Sequence, residues 1–240
     1  MSPTGPPEAA PGEPAAARRP RWGVLALAGL IGIGLVRQGL SGEADGPPQP
    51  GAGTALFPGD LPPDGPAPPP LPRSAPARVA IPSIAVSAPL MPLGLDKDGL
   101  IKAPPADDPR LAGWYEDAPT PGENGTAVIV GHVDSLSGPA VFYGLGALEK
   151  GKTIRVTRED GRTAVFKVYG TQVFDKRKFP AGKVYGTTGR PELRVLTCGG
   201  DYSADSGYAG NVVVFARMTG IGQNGHRPGP PLRHPDLPSS

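Results

Sequence analysis

A single cysteine, Cys198, stands among the 240 residues of the chain. An intramolecular disulfide is thereby excluded, and with only three histidines beside it no structural zinc site is expected. The thiol is either inert packing material or a working group. Charge of one sign is also lacking. The 24 Lys and Arg against 22 Asp and Glu leave a net +2, scattered instead of gathered in a stripe, which argues against a nucleic-acid partner. No acidic cluster suggests calcium, and no cofactor is expected. Long apolar runs are scarce, and no stretch carries a long amphipathic helical period.

Proline is abundant but unevenly placed. Of 34 prolines, 6 precede Arg21, 12 lie between Ser41 and Ala77 and 5 follow Gly220, leaving 11 for residues 78–220. That middle stretch is read as the folded domain, large enough to bury roughly two-thirds of its unfolded surface. Residues 1–21 and 221–240 are read as tails, and His226 and His234 in the second as solvated and idle.

The one uncharged apolar run is Trp22 to Val36, preceded by Arg18, Arg19 and Arg21 and followed by Arg37. As a helix it spans roughly 22 Å, short of a ~30 Å hydrocarbon core unless Arg37 snorkels and the span extends to Leu40. A cleaved signal peptide has an apolar region of similar length, but the following SGEADG is a poor cleavage site. An uncleaved single-pass anchor over 22–40 is therefore expected. The excess of arginine before it puts the N-terminus in the cytoplasm and the rest outside the cell. Residues 41–77 are broken by proline throughout and read as an extended linker with a reach on the order of 100 Å. A disordered segment without a spacing role fits them equally.

Residues 78–220 show short strands punctuated by turns: Val79 to Ile81, Ile84 to Ser87, Ala127 to Gly131, Thr153 to Arg158, Thr163 to Tyr169, Leu193 to Thr197 and Asn211 to Ala216. Asp160-Gly161 predicts a two-residue hairpin turn with positive φ. Short helical turns are expected near Arg110 to Tyr115 and Pro139 to Leu148. The class is mainly β, a barrel or a sandwich.

Two residues carry potential chemistry, His132 after the strand TAVIVG and Cys198 at the end of ELRVLTC. Both sit at strand-to-loop junctions, where a rigid scaffold presents side chains to a cleft. A free thiol with pKa about 8.5 is only a few per cent thiolate at neutral pH, and a neighbouring imidazole can activate it and later protonate a leaving amine. Period-two alternation sets Leu193, Val195 and Thr197 on one face, with Arg194, Leu196 and Cys198 on the other. Arg194 thus shares a face with the thiol, about 13 Å away along the strand, within reach of a substrate. An exposed strand charge is the alternative.

The stretches ELRVLTCGG, GNVVVFA and AVIVGHVDS together resemble the sortase signature of a His after one strand and a Cys strand of TLxTC type. The similarity runs in order over nearly all of residues 78–217 and is closest to the class F sortases of actinobacteria. RVAIPSIAVSAPLMPLGLDKDG, HVDSLSGPAVFYGLGALEKG and TTGRPELRVLTCGG support it. The resemblance implies a closed eight-stranded β-barrel and a two-step acyl transfer. Cys198 attacks the Thr-Gly bond of an LPxTG-like signal on a surface protein, His132 protonates the departing amine, and a cell-wall amine resolves the thioester. Most sortases add an Arg on the strand after the Cys, and this chain has Asn211 at that position. Asn211 either serves as a neutral oxyanion donor or caps the loop from Gly199 to Gly210. Arg194 is the alternative source of positive charge, and Arg217 a more distant one. Asp134 either orients the imidazole or contacts substrate, or bonds its own turn. Gly199 and Gly200 either bring backbone N–H groups to an oxyanion or permit a turn.

Other cysteine enzymes fit less well. Papain-like chains place Cys before His, and neither a caspase-type QAC nor an SHGC-like motif occurs. The rival outside catalysis is a tethered extracytoplasmic β domain for adhesion or scaffolding.

Overall fold

The computed structural model describes residues 46–55 and 68–223. Its strands are β1 (Pro76–Ile81), β2 (Val86–Leu93), β3 (Ala112–Tyr115), β4 (Gly125–Gly131), β5 (Asp134–Ser135), β6 (Gly138–Pro139), β7 (Thr153–Arg158), β8 (Arg162–Asp175), β9 (Pro191–Ser203) and β10 (Gly207–Gln223). Eight of them close a barrel in the order β1-β2-β3-β4-β9-β10-β8-β7, with β7 returning to β1. Two neighbouring pairs are parallel, β2 with β3 and β4 with β9. The short pair β5-β6 forms an arm of its own.

Alternation along the strands builds the core. Ala127 and Ile129 of β4, Leu193 and Val195 of β9, and Val212, Val214 and Ala216 of β10 belong to one buried cluster with Phe142, Leu145 and Leu148. The last two belong to the segment between β6 and β7, which contains the 3-10 turn Tyr143–Ala147, within the region expected to be helical. The intervening residues of β4, β9 and β10 project from the outer face of the barrel. There Val128, Leu196, Val213 and Phe215 join a second apolar cluster with Tyr169 and Val184. One stretch of strand thus serves the core with one set of side chains and a surface with the other.

Three local expectations are corrected. Ala112–Tyr115 is a strand and not a helical turn. It is short, paired on both sides, and nearly all of it is buried, so it shows no alternation, and its AGWY lacks the β-branched residues that would mark a strand. Ile84 closes a 3-10 turn, Pro82–Ile84, and β2 begins only at Val86. The β7-β8 hairpin turns more widely than Asp160-Gly161 alone would make it. Gly161 takes φ 78° and donates to Arg158 O, whereas Asp160 stays at negative φ with its carboxylate on Arg158 at 3.0 Å and on the Arg162 N–H. The side chain Arg158 attracts the turn's own aspartate, and the loop accommodates that pair. The short helix α1 (Ala181–Tyr185) was not anticipated.

The ordered domain is larger than residues 78–220. Leu71 is buried, and its N–H donates to Gly122 O at 2.8 Å. β10 runs on to Gln223. Residues 46–55, read above as part of a free linker, lie against the barrel. Thr54 Oγ1 donates to Thr171 O at 3.2 Å, Gln49 Oε1 accepts from Gly200 N–H at 3.0 Å, and Pro48 O rests where a side chain on Gly146 would stand. The expected anchor over 22–40 and the tail beyond Gln223 lie outside the described residues. Among the described residues no helix is long and apolar enough to cross a membrane.

Candidate active site

β4 and β9 run parallel with Val130 opposite Leu196, and Thr197 Oγ1 ties them by donating to Gly131 O at 2.9 Å. Continuing that register two residues past Val130 and Leu196 brings His132, just beyond the end of β4, level with Cys198, midway along β9. Alternation sends both outward. On the other side of β9, Asn211 of β10 is the direct cross-strand partner of Cys198. Directly opposed residues of antiparallel strands stand about 4.5–5.5 Å apart. The three therefore form a row across three strands, imidazole, thiol and amide, and all three line one cleft of about 930 Å³.

The imidazole is fixed by backbone. His132 Nε2 lies 2.8 Å from Pro104 O. A carbonyl oxygen only accepts, so Nε2 carries the proton and Nδ1 is the basic nitrogen of the neutral ring. Pro104 follows a turn, Gly94 to Lys102, ordered by its own bonds. Asp96 Oδ1 accepts the N–H groups of Asp98 and Leu100, and Lys102 N–H donates to Gly94 O. Pro104 had escaped the sequence reading because a carbonyl that orients a ring leaves no mark in residue type.

Apolar side chains make the cleft. Val128, Val130, Leu196, Leu100, Tyr115, Phe179 and Tyr185 all line it, and Tyr185 packs against Phe179. Among the described residues the charged ones lining it are Lys102 and Lys176, and no carboxylate does so. Cys198 itself is half-buried. The cleft thus sets a half-buried thiol against a largely apolar surface.

The structure does not bring Arg194 to this row. Its guanidinium is buried beside β10, donating from Nη2 to Glu192 Oε2 at 2.6 Å, from Nε to Val184 O at 2.9 Å and from Nη1 to Leu193 O at 3.2 Å. It also lies 4.6 Å from the Phe215 ring centre. Strand alternation had correctly put it on the thiol's face, but this part of the face is roofed by α1. Arg217 belongs to the same buried group, its Nε 3.5 Å from Glu192 Oε1. Burial pushes the Glu192 carboxyl up, yet the Arg194 charge and the bonds from Tyr169, Arg194 and Thr188 prevail and hold it below the usual carboxylate range. Burial keeps the Tyr169 hydroxyl protonated well above its ordinary range.

Asp134 is exposed on the β5-β6 arm and does not line the cleft. It accepts from Tyr208 OH at 2.6 Å, and burial together with this bond raises the Tyr208 phenol. Gly199 faces the barrel interior, away from the thiol's side. A Cβ there would stand 2.5 Å from Val212 Cγ2. Val212 is β-branched and held by its strand, so it has little room to turn aside. Gly199→Ala should therefore cost about 1–3 kcal/mol by overpacking, seen as a lower Tm. The Gly200 N–H is engaged by Gln49 Oε1 and is directed away from an oxyanion role.

The sortase domain model matches residues 79–219, well over half of the chain. The chain is a member of the sortase family. Among solved structures, the SrtA sortase from Actinomyces oris shares 20% identity, covers 72% of this chain and 98% of its own, and superposes with a TM-score of 0.50. Sortase A from Listeria monocytogenes shares 16%, covering 62% and 90% with a TM-score of 0.46. Sortase C-1 from Actinomyces oris shares 24%, covering 60% and 73%, also at 0.46. No curated protein matches the chain. This sortase is thus a transpeptidase in the general sense of its family, built on the closed barrel that the sequence resemblance implied. Among its described residues no group of His, Cys, Asp and Glu is arranged to hold a metal ion.

Proposed function

We propose that this sortase cleaves an LPxTG-like sorting signal between Thr and Gly and joins the new carboxyl end to a cell-wall amine. The observation that carries the reading is the row of His132, Cys198 and Asn211 on three adjacent strands in one apolar cleft. Cys198 Sγ, as thiolate, adds to the Thr carbonyl carbon and gives a tetrahedral oxyanion. The Asn211 side-chain amide, across the strand pair from the sulfur, donates to that oxygen. Collapse breaks the C–N bond while the His132 imidazolium gives its proton to the departing Gly nitrogen, leaving a thioester on Cys198 and a neutral imidazole. The incoming amine then attacks the thioester carbonyl, His132 takes the amine's proton, and the C–S bond breaks to free the joined product.

The apolar run and its flanking arginines support a setting in which an anchor over 22–40 holds the chain at the outer face of the membrane, where exported surface proteins arrive. The TLxTC-type strand and the stretches around it favour class F within the family.

Incubation of the full chain with an LPxTG-like peptide and a glycine-type amine should give the transfer product and, with the amine left out, an acyl adduct on Cys198 seen by mass spectrometry. Absence of both, with Cys198 reacting with iodoacetamide only after unfolding, would instead identify a tethered scaffold whose thiol is packing.

A further inference from the structure

The wall of the cleft formed by Tyr185 and Thr187 has an attachment that the transfer chemistry does not use. Three side chains of the barrel fasten the segment at alternate residues. Arg194 Nε donates to Val184 O at 2.9 Å, Thr126 Oγ1 donates to Gly186 O at 2.8 Å, and Thr188 Oγ1 donates to Glu192 Oε1 at 2.9 Å. The residues between these fastenings, Tyr185 and Thr187, are the ones that line the cleft. Tyr185 also packs on Phe179, another cleft residue, with ring centres 5.8 Å apart.

Behind the fastenings lies one buried ionic group. Glu192 is wholly buried and Arg194 nearly so. Glu192 Oε2 accepts from both Arg194 at 2.6 Å and Tyr169 OH at 2.7 Å, and its Oε1 faces Thr188 and Arg217. Burying such a pair is a poor route to stability, since apolar residues of the same volume commonly serve as well. It does give direction. A guanidinium has fixed donor angles, and one held by Glu192 on one side and stacked near Phe215 on the other can meet Val184 O from only one position.

Building on the proposed reaction, we infer that Glu192, Arg194 and Thr188 form a latch that sets the position of Tyr185 and Thr187, and so the fit of the sorting peptide. They are positioning residues. They touch neither the scissile bond nor the His132, Cys198 and Asn211 row. The latch therefore affects how tightly the peptide is held and leaves bond making alone, which separates it from a part that merely keeps the barrel folded. Loss of a structural part lowers the active fraction and hence apparent kcat, at unchanged KM. Loss of the latch raises KM at unchanged kcat.

The test uses the full chain. Thr188→Val removes one fastening with almost no change in shape and should raise KM for an LPxTG-like peptide about threefold to tenfold, with kcat retained. Thr188→Ser should restore the original KM. Arg194→Lys keeps a charge beside Glu192 but cannot reach Glu192 and Val184 O together. It should raise KM further and speed amide hydrogen exchange over residues 182–188, while Cys198 alkylation proceeds at the original rate. A fall in kcat at constant KM with a lowered Tm, or exchange over 182–188 that does not change, overturns the latch. Exchange and alkylation need no turnover, so failure of the latch is told apart from failure of the reaction, which shows as absent transfer by the unmodified chain.

Discussion

Cys198→Ala should leave a folded barrel with no transfer activity, a loss on the order of 10⁴-fold or more. The sulfur is the only thiol in the chain, so no neighbouring nucleophile can take over. The residue is half-buried at the rim of the cleft, and its truncation removes one atom without opening the core, so Tm should hardly move. His132→Ala should cost nearly as much by leaving the thiol without its proton partner. The double replacement should be little worse than either alone, because the two act as one unit. Peptide turnover and the mass of the acyl adduct measure this directly. Transfer that persists in Cys198→Ala would remove the thioester route.

Asn211→Ala should lower kcat about 10²-fold with KM nearly unchanged, the cost of losing one preorganised donor to an oxyanion. Register sets this: Asn211 pairs with Cys198 across β9 and β10, and the residue opposite it on the far side is Phe174 of β8, whose side chain offers no donor. Asn211→Asp should be worse than alanine, since a carboxylate repels the developing negative charge. Asn211→Arg should retain most of the rate by supplying a guanidinium at the same place. Should Asn211→Ala turn over at the original rate while its Tm falls, the amide is a cross-strand filler and the oxyanion has another donor.

The candidate thiol and imidazole were legible in the sequence as residues at strand-to-loop junctions. Alternation along ELRVLTC put the thiol on the face of Arg194 and Leu196, but that His132 stands level with it follows only from the β4-β9 register, which the sequence does not show. Arg194 shows the limit of that reasoning. Periodicity reports which side of a sheet a residue occupies, not what covers that side further along, and here a five-residue helix with no amphipathic signal of its own roofs the lower half. β3 was missed because both sides of it are paired and buried, which removes the contrast that marks a strand. Gln49 and Pro48 were read as linker since proline and glycine around them offer no apolar period. They are held by a backbone N–H and by space left at Gly146, contacts to which residue type gives no clue.

Along β9 the thiol is separated from the oily interior by a single peptide unit. Were the strand to slip by one residue against β4 and β10, the sulfur would turn inward among the aliphatic side chains and a neighbour without a nucleophile would meet the peptide. On the proposed reaction, reactivity is thus set by a count of hydrogen bonds between strands. The irregularity in that count, between Tyr208 and Gly210, falls on the far side of Asn211, where slack is absorbed before it can reach the sulfur.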